Sequence, residues 1–76
     1  MNLNEFIENV ADQFENTDRS IFTADTNLWE LEEFTSLIAL SIISMIDEEY
    51  DVAIKGSDVK GIKTLGELFE VVKSKM

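Results

Sequence analysis

Apolar residues between Asn2 and Asn16 fall at Leu3, Phe6, Ile7, Val10, Ala11 and Phe14, the three/four spacing that lines one side of a helix. The pattern predicts a first helix over Asn2 to Asn16. Asn2 is placed to cap it with Glu5 three residues on, Glu5 and Glu8 suit the positive end of its dipole, and Asn16 suits its stop. From Thr17 to Phe34 the periodicity fails and turn-forming residues take over (Thr17, Asp18, Ser20, Thr23, Asp25, Thr26, Asn27), which predicts a long loop. Ile21, Phe22, Leu28, Trp29, Leu31 and Phe34 are its expected packing anchors, and Glu30, Glu32 and Glu33 read as a solvated acidic run.

The longest apolar helical run follows, FTSLIALSIISMIDEEYD from Phe34 to Asp51, with Thr35 before the first turn. Taking Ala39, Ile42, Ile43, Ile46 and Tyr50 as its buried stripe leaves Ile38 and Met45 on the opposite, exposed face. Beyond it, Lys55-Gly56-Ser57 and Lys60-Gly61 bracket a short helix over Ser57 to Lys60. Thr64-Leu65-Gly66-Glu67 matches a capping box, so a last helix runs from Leu65 to about Lys75 with Leu65, Leu68, Phe69 and Val72 inward. The sum is an all-α chain, a small bundle of three longer helices and one short one with a long loop between the first two. Its expected core is Phe6, Ile7, Val10, Phe14, Ile42, Ile43, Ile46, Leu68, Phe69 and Val72.

Length adds one constraint: 76 residues form a single small domain, residues 1–76, too small for most enzymes. With no cysteine, neither disulfides nor zinc thiolates hold the fold, so helix packing must do so. No run approaches the roughly 20 apolar residues of a membrane span, and the N-terminus lacks a basic segment followed by an apolar one. A soluble, cytoplasmic monomer is therefore expected. Sixteen acids against six basic residues give a net charge of −10, which disfavours nucleic acid and anionic membranes and favours partners with basic patches. The charge is uneven: residues 1–51 hold thirteen acids and only Arg19, net −12, whereas residues 52–76 hold three acids and five lysines, net +2.

The chemistry available is narrow. Without His or Cys the usual general bases and nucleophile pairs are missing, and exposed carboxylates on so small a domain have no pocket to tune them, so the chain is not expected to be an enzyme. Asp47, Glu48, Glu49 and Asp51 are hard oxygen ligands, but they lack the alternating acid loop and central glycine of an EF-hand, so no metal site is assigned. Ser36 stands out differently. It sits at the start of the main helix, where unpaired N–H groups and the dipole favour an anion such as a phosphodiester.

Ser36-Leu37, the apolar positions Leu40, Ile43 and Ile46, the run Met45-Ile46-Asp47-Glu48-Glu49-Tyr50-Asp51 and then Ile54 resemble the carrier helix of acyl carrier proteins. In that family the serine follows an aspartate and carries 4′-phosphopantetheine; here Thr35 stands in the aspartate's place. Upstream, Leu28-Trp29-Glu30 followed by Phe34-Thr35-Ser36-Leu37 looks like the residues preceding the serine in stand-alone carriers, with a spacing somewhat like the D-alanyl carrier subgroup. The resemblance implies an acyl carrier protein that presents an acyl or aminoacyl thioester on 4′-phosphopantetheine attached to Ser36, in fatty acid, polyketide or related specialised biosynthesis. It also implies partners: a phosphopantetheinyl transferase and acyl- or aminoacyl-transferring enzymes, met through Thr35, Leu37, Ile38, Met45 and Glu48. The alternative keeps the fold without the prosthetic group, as an unmodified acidic helical protein-binding module.

Overall fold

The computed structural model describes all 76 residues, Met1–Met76. Four α-helices follow in order: α1 (Leu3–Ala11), α2 (Ser36–Tyr50), α3 (Gly56–Lys60) and α4 (Leu65–Ser74). α1 packs against α4 and α2, and α2 packs against α3, so the chain is an all-α bundle of the expected kind. Asn2 caps α1 as its side-chain oxygen accepts from the Glu5 N–H at 3.2 Å. Thr64 caps α4 through the Glu67 N–H at 3.2 Å, while the Glu67 carboxylate reaches back to the Lys63 N–H at 3.1 Å. α2 ends at Asp51, whose φ of 55° is left-handed, a conformation in which Asp and Asn are the least strained side chains after glycine.

α1 stops at Ala11 rather than near Asn16. The Gln13 and Phe14 N–H groups bond three residues back to Val10 and Ala11, and those of Glu15 and Asn16 are taken by the Glu33 carboxylate arriving from the loop. The ladder tightens at Gln13 and Phe14, and the Glu33 carboxylate then takes the donors that would have resumed it, while Phe14 stays buried through Phe22 at 4.9 Å between ring centroids and Phe34 at 6.4 Å.

The segment between α1 and α2 contains two single turns of 3-10 helix, Arg19–Ile21 and Leu28–Glu30, started by Asp18 and Asn27 side chains that bond the Ser20 and Trp29 N–H groups. Its middle is tied to the α3–α4 connection. The Leu28 N–H donates to Lys63 O at 3.1 Å, the Leu65 N–H to Thr26 O at 3.0 Å and the Gly66 N–H to Ala24 O at 2.8 Å, around an isolated antiparallel bridge between Asn27 and Thr64. Of the expected anchors, Phe22 and Leu28 are buried and Leu31 and Phe34 are partly so, whereas Ile21 and Trp29 stay about half exposed.

All 17 buried residues are apolar and form one cluster, and no buried side-chain nitrogen or oxygen lacks a partner. Ile7 and Ile43 pack on this cluster only partly buried, and Val52, Ile54, Val59 and Ile62 join it from the segments around α3. The buried side of α2 differs from the stripe read from the sequence. Ile42, Met45 and Ile46 are its buried residues, with Ile38 half-buried against the core beside them, so neither Ile38 nor Met45 lies on an exposed face. Apolar residues run almost all the way round this helix, so the three/four rule admits more than one stripe. The polar row Ser41, Ser44, Asp47 and Glu48 marks the wet side, and Leu37 and Leu40 lie on it.

Candidate functional site

Ser36 is the first residue of α2, is exposed, and its hydroxyl takes part in no hydrogen bond within the chain. Thr35 is the N-cap, with extended backbone, its Oγ1 accepting from the Ile38 N–H at 3.4 Å and its carbonyl from the Ala39 N–H at 2.9 Å. The N–H groups of Ser36 and Leu37 precede the first intrahelical bond and have no partner in the chain. Thr35 thus holds the cap position through a long side-chain bond, without adding a negative charge beside the serine.

A groove of about 520 Å³ opens beside Ser36, lined by Trp29, Phe34, Ala39, Leu40, Ile43 and Val59, with Thr35, Gly56 and Lys60 completing its wall. Trp29 is anchored in this wall by two contacts: its indole N–H donates to Ile62 O at 2.8 Å, and its ring meets Phe34 edge-on at 5.0 Å. Lys60 is the one cationic side chain on the groove.

The expected contact residues divide. Thr35, Leu37 and Glu48 are exposed on the α2 surface, Leu37 by 71%. Met45 is only 7% exposed and Ile38 is packed on the core, which corrects their assignment to the outer face. In their place the surface presents Leu40, 60% exposed beside Leu37, above a shallow hollow that also includes Ser41, Ser44 and Glu48. The spacing of Ser41, Ser44, Asp47 and Glu48 carried that information, because residues three and four apart on a helix share a face.

Glu33 is likewise not part of a solvated run. Its carboxylate accepts from the Thr17 hydroxyl at 2.7 Å, from the Glu15 N–H at 2.8 Å and from the Asn16 N–H at 3.1 Å. The Thr17 hydroxyl foremost, then these backbone donors, hold its pKa below the usual value against the opposing effect of partial desolvation. No spacing rule ties Glu33 to Thr17, so only the folded chain brings them together. The acids at the end of α2 do not converge: no group of three or more carboxylates is arranged to hold a metal ion. No helix is long and apolar enough to cross a membrane.

The model of one protein family, described as the phosphopantetheine attachment site, matches residues 4–72 of this chain. No curated protein matches it. The arrangement suits such a group, for which the family provides covalent attachment on a carrier rather than a catalyst. A free, exposed hydroxyl stands at a helix start with unpartnered N–H groups beside it, and a groove leads away from it.

Proposed function

Since the chain belongs to the phosphopantetheine attachment-site family, we propose that Ser36 is the residue on which it carries 4′-phosphopantetheine. When bound, that group supplies a long flexible arm ending in a thiol, which this chain, having no cysteine, does not otherwise possess. The observation that carries the reading is the state of the Ser36 hydroxyl: exposed and unbonded, inside the matched stretch. A phosphodiester formed there gains about 0.3 to 1 kcal/mol from the free N–H groups and the dipole at an exposed helix start.

The rest of the chain presents this position to enzymes. Leu37 and Leu40 form the apolar part of the face beside Ser36, and Glu48 and Asp47 add charge along the same side of α2. Partners with basic patches match that face, and Ile38 and Met45 act from beneath by packing the helix in place. In this reading the whole chain is one acyl-carrier-like domain, a cytoplasmic monomer that hands an acyl or aminoacyl thioester between enzymes of fatty acid, polyketide or related specialised biosynthesis.

Intact-mass measurement after incubation with coenzyme A and a broad-specificity phosphopantetheinyl transferase tests the attachment. Wild type is expected to gain one phosphopantetheine, Ser36→Ala none with an unchanged helical spectrum, and Thr35→Asp to gain it faster by restoring the family's carboxylate. Failure of wild type and of Thr35→Asp with several transferases would overturn the assignment in favour of an unmodified binding module.

A further inference from the structure

The start of α2 has a long side-chain cap of its own and, just upstream of it, a tie through Glu33 to the residues that follow α1. The side-chain cap from Thr35 is long, 3.4 Å, near the limit of a useful hydrogen bond. Three residues before Ser36, however, the Glu33 carboxylate makes short bonds to the Thr17 hydroxyl (2.7 Å) and the Glu15 N–H (2.8 Å) and a third to the Asn16 N–H (3.1 Å). Hydrogen bonds to an ionised acceptor are roughly twice as strong as neutral ones. The next residue, Phe34, is set between Phe14 and Trp29 at 6.4 and 5.0 Å, and its N–H bonds Leu31 O at 3.0 Å. Phe34 and Ala39 line the same groove on either side of the cap, as a hydrophobic staple does. The direction in which the chain enters α2 is therefore tied to the exit of α1.

We propose that Glu33 is a positioning residue for Ser36: by clamping the α2 entry segment onto the end of α1, it keeps the serine hydroxyl in the orientation that the modifying enzyme takes. The proposal rests on the attachment reading for its kinetic consequence, but the clamp itself is measurable in the unmodified protein. Without the clamp, the entry segment exchanges among orientations of which a fraction is competent, and apparent affinity falls by that fraction while turnover from the competent state is unchanged.

The test uses the full chain with Glu33→Gln, which weakens the acceptor, and Thr17→Val, which removes one donor and leaves the carboxylate. Glu32→Gln serves as control, since it makes the same change of charge at an exposed neighbour. In unmodified protein, backbone ¹⁵N order parameters of residues 34–37 are expected to drop from about 0.85 towards about 0.6 in Glu33→Gln, less in Thr17→Val, and not at all in the control. Those of α4 should stay unchanged in every variant. With a phosphopantetheinyl transferase, the KM for Glu33→Gln rises roughly three- to tenfold with kcat held, and the control matches wild type. Unchanged order parameters at 34–37 would overturn the proposal, as would an equal rise in KM for Glu32→Gln, which would assign the effect to charge. If wild type is never modified, the attachment reading fails, and the order parameters alone decide the clamp.

Discussion

Met45 and Leu40 lie five residues apart on one apparently uniform apolar helix, and the structure gives them opposite fates: Met45 is 7% exposed and Leu40 60% exposed. Truncating each to alanine therefore measures which way α2 is turned. Met45→Ala removes nearly the full benefit of burying a methionine side chain, about 1.5 to 3 kcal/mol, and leaves a cavity that brings the expected loss to about 2 to 5 kcal/mol. A domain of this size has several kcal/mol in total, so the variant should be marginal. At about 4–8 °C per kcal/mol for chains of 60–100 residues, even 2 kcal/mol lowers the melting temperature by roughly 8–16 °C. Leu40→Ala, by contrast, should stay within about 0.5 kcal/mol of wild type. Urea unfolding followed by far-UV circular dichroism gives both values, and an unchanged slope with denaturant confirms that the same amount of structure is lost. Equal losses, or a larger loss for Leu40→Ala, would refute the orientation of α2 and with it the assignment of Leu37 and Leu40 to the outer face. The functional counterpart is that Leu40→Glu leaves the fold intact and weakens binding of a cognate transferase.

Three further outcomes are expected. A Cβ on Gly66 would stand 3.0 Å from Ala24 O, the carbonyl that accepts from the Gly66 N–H, so Gly66→Ala should cost about 1 to 3 kcal/mol by thermal melting despite alanine's better helix propensity. Because Glu33 has its pKa lowered by folding, its contribution is present above the ordinary glutamate value and is lost as pH falls through the lowered one. Wild type should thus lose its stability advantage over Glu33→Gln as pH falls below about 4.5 towards the acid end of the carboxylate range. A wild-type advantage that persists unchanged to low pH would contradict the clamp's dependence on charge. Finally, the net −12 of residues 1–51 should make the melting temperature rise with added salt or millimolar Mg²⁺, and a flat or falling response would count against self-repulsion.

Local rules suffice for the elements with one-sided patterns. α1 and α4 each have a single apolar stripe and a capping residue that belongs to no other reading, so Asn2, Thr64 and the buried faces of Phe6, Val10, Leu68 and Val72 followed from local rules. The prominence of Ser36 was legible too, because a hydroxyl at the start of the longest apolar helix is a local fact, and Thr35 caps that helix as expected. Tertiary structure decided what local rules leave degenerate. α2 is apolar nearly all round, and only the packing of α1 and α3 against it turned Met45 and Ile38 inward and Leu37 and Leu40 outward. Glu33 reads as one of three solvated acids until the chain folds back and brings it to the donors of Glu15, Asn16 and Thr17. That meeting spans 16 to 18 residues, which no helical or strand periodicity encodes. The same holds for the hydrogen bond from Trp29 to Ile62 across 33 residues. Unpaired backbone and carboxylate groups find whichever partner the packed chain offers, and only the packed chain specifies which that is.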